Sequence, residues 1–174
     1  MLEIEIPQNT HAKVEGEYIS IEGSLGISKK RFNNRYINVK VEGNKIIVEE
    51  PKDRKPTKMY KFIEGTLANE IRKAFVDLDK GIVVNMRTVY AHFPISLEIK
   101  GNKLLIKNIF GSRTPREAKI VGDTKIETKG QDLVIKGSDA YDIGQTVANI
   151  RNACKAKGYD SRVFQDGIYV VREE

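Results

Sequence analysis

The side chains in this sequence with the plainest chemical use are cations set beside small or kinked residues. Lys107 to Lys119, KNIFGSRTPREAK, places Arg113, Arg116 and Lys119 around Gly111, Ser112, Thr114 and Pro115. Arginine forks and the backbone N–H groups of small residues suit phosphate oxygens. Further on, Arg151, Lys155, Lys157 and Arg162 surround Gly158 with Asp160 as the one acid among them. Two more basic runs are Lys29 to Arg35 and Lys52 to Lys58. Phe110 can stack on a base or close a small core. Each run also fits an ordinary solvated hairpin or helix end, so charge alone does not choose. Other chemistries find less support. His11 and His92 lack partners at metal-ligand spacing and read as packed histidines. Cys154 falls on an apolar helix stripe and reads as a small buried hydrophobe. No phosphate-binding glycine loop or nucleophile elbow is present. The carboxylates mostly alternate with lysines along strands, as solvent faces do. The reading is of a protein that is not an enzyme and that needs no metal or cofactor.

The elements that must hold these cations follow from periodicity. Leu2, Ile4 and Ile6 alternate with Glu3 and Glu5 as a half-buried strand ended by Pro7. A strand from Val14 turns at Gly16 and returns through Tyr18, Ile19 and Ile21. Lys29 to Arg35 reads as a polar basic segment. Ile37, Val39 and Val41 form a strand that turns at Gly43-Asn44 and runs back from Ile46 to Val48. Pro51 to Thr57 is a charged loop, and Thr57 can cap the helix after it. That helix carries a stripe of Met59, Ile63, Leu67, Ile71, Ala74 and Leu78, and closes at Gly81. Ile82 to Tyr90 and Ile95 to Ile99 are further strands. A second helix shows Ile143, Val147, Ile150 and Cys154 on one face. Asp139 and Asp142 stand at its start, Lys155 and Lys157 in its last turn, and Gly158 at its stop. Gly167 to Val171 is a final strand.

The pattern occurs twice. Ile99 to Ile106 echoes Val14 to Ile21, and Gly101 and Gly111 lie 85 positions after Gly16 and Gly26 respectively. KGQDLVI repeats EGNKIIV at a spacing of 87, and the helices match at 79, pairing Ile71 with Ile150 and Arg72 with Arg151. Three blocks in one order indicate a duplication, with the charged loop near Pro51 shortened in the second copy. The expected fold is α+β: two similar tandem domains, residues 1–81 and 82–174, each an antiparallel sheet packed by one helix. The third basic run then occupies the place of Gly23 to Arg31 in the first copy. The 174 residues carry 30 Lys+Arg and 24 Asp+Glu, a net charge of +6 that leans to the second half and favours a polyanionic partner. One cysteine fits a reducing compartment, and no run of roughly eighteen apolar residues offers a membrane span. The acidic N-terminus lacks the basic start of a signal peptide, so the expected location is cytoplasmic. Pairing through exposed strand edges with another protein is the competing reading.

GQTVANIRNACKAKGYDSRVFQDGIYV resembles the C-terminal signature of the large-subunit ribosomal protein family numbered six in bacteria and nine in eukaryotes, in its archaeal–eukaryotic form. VYAHFPISLEIKGNKLLIKNIFGSRTPREAKI resembles the family's central block, and IEIP near the start also fits. The resemblance implies two similar α+β domains and binding to large-subunit ribosomal RNA, chiefly through the second. It implies a location near the sarcin–ricin region and the stalk base, where translation factors dock. Neighbouring ribosomal proteins would be the other partners of a monomer within the ribosome. On the matching positions, Arg113, Arg116, Lys155, Lys157 and Arg162 would meet phosphates, with Gln165, Asp166 and Gly167 packing the loop. Lys119 and Arg151 complete the set by charge, although the family often has glutamates where Arg151 and Asn152 stand.

Overall fold

The computed structural model describes residues 2–51 and 58–171. The Pro51–Thr57 loop and the proposed Thr57 cap fall, but for Pro51, outside the described residues. The chain divides into two compact units, Met1–Gly81 and Ile82–Glu174.

In the first unit, alternation of branched and charged residues makes six short strands. They are β1 (Leu2–Glu5), β2 (His11–Glu15), β3 (Tyr18–Gly23), β4 (Gly26–Arg31), β5 (Asn38–Glu42) and β6 (Lys45–Glu49). They form two antiparallel sheets, ordered β1-β6-β5 and β2-β3-β4. Helix α1 (Lys58–Lys80) packs on both, and Gly81 follows it at φ +73°. Its core joins Ile19, Ile21, Ile46 and Val48 to Leu67, Ile71 and Leu78. Each such side chain contributes about 1.5–3 kcal/mol on burial.

Two expectations are corrected here. Lys29 to Arg31 belong to β4, paired opposite Tyr18 to Ser20, and only the residues after Arg31 form a connecting segment. An edge strand with one solvated face tolerates lysine, so the basic run concealed the strand. The stripe of α1 also turns: Tyr60 and Glu64 are buried, while Met59 is half exposed. A strict i, i+4 series advances about 40° per step around a helix of 3.6 residues per turn, so Met59 drifts off the face that Ile71 defines.

The second unit repeats the frame. Its strands are β7 (Ile82–Val89), β8 (Ser96–Lys100), β9 (Lys103–Lys107), β10 (Arg116–Lys119), β11 (Lys125–Lys129), β12 (Asp132–Gly137) and β13 (Gly167–Val170). The β8-β9-β10 sheet answers to β2-β3-β4, and β11-β12-β7 answers to β5-β6-β1. Strand β13 then adds to the outer edge of β7, with Ile168 opposite Thr88. Helix α2 (Ala140–Ala153) packs against β10, β12, β13 and β7, and buries Ile143 and Ile150 with Met86, Leu104, Ile106, Leu133 and Ile135. The fold is therefore α+β in two similar tandem parts, as the repeat predicts. The helix ends earlier than expected, however. Cys154 caps it, and Lys155 and Lys157 lie beyond it rather than in its last turn.

Candidate nucleic-acid interface

The interface is built around the end of α2. The start of that helix is set by Asp139, whose carboxylate accepts the Tyr141 N–H at 2.8 Å. Its flank is tied to β10: the buried Thr146 hydroxyl accepts the Val121 N–H at 3.0 Å, and the Asn149 amide donates to the Lys119 carbonyl at 2.8 Å. At the exit, Arg116 reaches across from β10. Its Nη1 donates to the carbonyls of Ala153 (2.9 Å) and Lys155 (2.7 Å), and its guanidinium stands 5.4 Å from the Phe110 ring centre. A helix leaves its last carbonyls unpaired, with partial negative charge. One arginine satisfies the Ala153 carbonyl in the last turn and the Lys155 carbonyl just beyond the cap, and sets a positive charge against that end.

The third basic loop folds over the same place. After β9, Asn108 and Phe110 take left-handed backbone at φ 59° and 52°, and a single 3-10 turn spans Ile109–Gly111. A phenylalanine in that region is strained, and here packing supports it. Phe110 is buried and stacks on Tyr159 at 5.3 Å between centroids. Phe164 lies 4.9 Å from Tyr159 and 4.7 Å from His92. Of the two expected roles for Phe110, the structure shows the core-closing one.

Asp166 locks the far end of the segment. It is buried, and it accepts the N–H of Ala91 (3.0 Å) and of His92 (3.3 Å), with the His92 ring at 3.2 Å. Burial alone would raise its carboxyl pKa, but the Ala91 N–H and the His92 contacts outweigh that and hold it below the usual aspartate value. Cys154 behaves as an inert buried thiol, pushed by burial to about 11.

These contacts make the loop 108–115, the exit of α2 and the segment 155–166 adjoin. Arg116, Lys119, Arg151 and Lys155 all stand on or against α2 and its exit. Arg113, Lys157 and Arg162 are exposed on the two loops that meet there. The acids on the second unit's strands are engaged elsewhere. Glu98 holds Lys107 at 2.5 Å and Lys100 at 3.8 Å, Glu117 holds Lys103 at 2.6 Å, Glu127 holds Lys136 at 2.9 Å, and Asp132 holds Arg87 at 2.7 Å. Among the described residues, no carboxylate forms an ion pair with Arg113, Lys119, Arg151, Lys155, Lys157 or Arg162. Five strand cations are thus paired with acids, and the cations at the exit of α2 are not.

Arg116 as the cap of α2 escaped sequence reading; for Asp166 the resemblance implied packing of the loop, but not the clamp on residues 91–92. The only signal for that clamp was an acid standing immediately before a strand.

A family model described as ribosomal protein L6 matches residues 93–167, from the turn after Asp166's backbone partners to the start of β13. The chain is also 41% identical to the large ribosomal subunit protein uL6 of Methanocella arvoryzae, over 97% of this chain and 94% of that one. The chain belongs to the ribosomal protein L6 family. Similar relatives carry the same name in Sulfurisphaera tokodaii (38% identical, 99% of this chain and 91% of that one) and Archaeoglobus fulgidus (37%, 98% and 88%). The alignments run through both units, so the whole chain, and not only the matched span, is of this family. Its archaeal character, expected from RVFQDGIY, agrees with these relatives. No helix among the described residues is long and apolar enough to cross a membrane.

Proposed function

We propose that this chain is a non-catalytic structural constituent of the large ribosomal subunit in the cytoplasm, where it binds large-subunit ribosomal RNA as a monomer. The second unit is its main RNA-binding domain. It docks near the sarcin–ricin region and the stalk base and so supports the surface on which translation factors act. Arg113, Lys119, Arg151, Lys155, Lys157 and Arg162 meet phosphates, while Arg116 contributes its field from a capped position. Neighbouring ribosomal proteins are the remaining partners.

The observation that carries this reading is the contrast in charge pairing. Six cations beside one helix exit have no acid partner among the described residues, whereas Arg87, Lys100, Lys103, Lys107 and Lys136 on the neighbouring strands do. Closely spaced phosphates supply the missing counter-charge, and folded RNA presents them in a shape that a rigid frame can match. The names of the relatives agree with that partner.

The test is a salt titration of the full chain on a large-subunit RNA fragment containing the sarcin–ricin stem. Replacing Arg113, Lys155, Lys157 and Arg162 with glutamine should weaken binding. It should also reduce the slope of log K against log salt by about one for each phosphate no longer neutralised. The matching change of Lys29, Lys30 and Arg31 in the first unit should alter it far less. An unchanged slope in the first variant would refute the assignment.

A further inference from the structure

A cleft of about 460 Å³ opens between the exit of α2 and the stretch from Ser161 to Tyr169. That lies within the roughly 300–1,000 Å³ of clefts that enclose a small ligand. A solvated rim of charges does not require such a recess. Its floor is apolar, made by the buried Cys154 and Ile168 and by the half-buried Phe164. The Phe164 ring is held from other sides by Tyr159 and His92, so it is a fixed surface rather than a mobile one. The walls carry two amides. Asn152 is exposed, and the Gln165 amide nitrogen donates to the Arg162 carbonyl at 3.3 Å, which orients its oxygen as an acceptor. Tyr169 donates its hydroxyl to the Gln165 carbonyl at 2.7 Å, which braces that wall. Arg151 and Lys155 line the mouth without a carboxylate partner among the described residues. The one acid in the lining, Asp166, has its oxygens turned to Ala91 and His92.

One cleft thus combines apolar groups and a fixed ring, two side-chain amides and two cations, which suit the face, the edge and the phosphate of a nucleotide. We infer that this cleft receives one unpaired nucleotide of the bound RNA, base inward and phosphate between Arg151 and Lys155. The inference rests on the RNA-binding reading above and adds to it. Phosphate contacts fix the protein on the RNA, while an unstacked base seated between aromatic and amide groups lets it discriminate among sites. Arg116 makes this possible: by capping the carbonyls of Ala153 and Lys155 it removes the negative end that would otherwise repel a phosphate at the exit of a helix.

The experiment uses the ¹⁵N-labelled full chain, titrated with the four ribonucleoside 5′-monophosphates and, as a base-free control, with ribose 5-phosphate. At least one nucleotide should shift the side-chain amide signals of Asn152 and Gln165. It should bind roughly fivefold to a hundredfold more tightly than ribose 5-phosphate, the contribution of one stacked base. Ala148→Phe, which fills the cleft without changing charge, should bring that nucleotide down to the level of the control. Asn152→Ala, at an exposed position, should weaken the discrimination among the four bases. Equal affinity for nucleotide and ribose 5-phosphate would overturn the inference, as would indifference to Ala148→Phe in a variant whose spectrum shows it folded. A glutamate-rich peptide that shifts the same amides more strongly would overturn it too, by assigning the cleft to a protein partner. The salt titration on the RNA fragment separates the outcomes. If the Arg113, Lys155, Lys157 and Arg162 variant shows the reduced slope while mononucleotides fail to bind, only the cleft assignment falls; if that variant leaves the slope unchanged, the RNA reading falls with it.

Discussion

Helix α1 runs for 23 residues and passes the chain at Gly81 directly into the next strand, whereas α2 stops after 14 and leaves through an irregular segment before β13. The sheets beneath are alike, and their register shows where the two units diverge. Ser28 lies opposite Ile21, and Arg116 lies opposite Ile106, 85 positions beyond Ile21. At the same place in the frame, one unit therefore buries a small hydroxyl and the other carries an arginine long enough to reach its helix. That exchange goes with an early helix stop, a looped exit loaded with unpaired cations, and an extra strand on β7 where, among the described residues, β1 keeps an open edge. Two copies of one scaffold differ at the helix exit and in the strand added to β7, while the other strands keep the same order.

Breaking the Arg116 cap should give the largest effect. Arg116→Ala removes two hydrogen bonds from a charged donor and its contact with Phe110, at a cost of about 2–4 kcal/mol, and the change should appear as early denaturant unfolding of the second unit alone. If both units shifted together, they would not be the independent frames described. Asp166→Asn follows, at about 1.5–3 kcal/mol. Because the folded carboxyl titrates below its ordinary value, its stabilisation is fully present above the ordinary aspartate range and disappears as pH falls through the depressed folded value. The wild-type denaturation midpoint should fall in that acid window, and that of the variant should fall less. In the first unit, a methyl group on Gly23 would meet the Leu78 side chain at 2.7 Å, so Gly23→Ala should cost about 1–3 kcal/mol and leave RNA affinity unchanged. Smallest is Arg31→Ala. Its exposed pair with Glu17 is screened by solvent, so the melting temperature should stay where it is.

Much of this was legible from residue order. Alternation placed most strands, the repeated glycines exposed the doubling, and the stripe through Ile143 and Ile150 located α2. The resemblance supplied the family, and the alignments now show it. What stayed hidden depends on contacts that have no local period. The Lys29 to Arg31 strand was masked because solvated lysines look alike in a loop and on an edge. The end of α2 was misplaced because Gly158 and the lysines before it resemble a helix stop, whereas the helix ends at Ala153, where its carbonyl meets a side chain from a distant strand. Arg116 carries the same charge as Arg113 in the same loop, and only geometry separates a cap from an exposed cation.

The pairing of β13 with β7 sets an order of events during synthesis. Gly167 meets Val89 across 78 positions, so the sheet of the second unit stays incomplete until almost that whole stretch has been made. Closing so long a loop is slow, whereas the strands of the first unit pair only with one another, within residues 2–49. The nascent chain can thus carry a finished first unit while the second is still unassembled, and the segment that joins the exit of α2 to β7 is fixed only once β13 has been made.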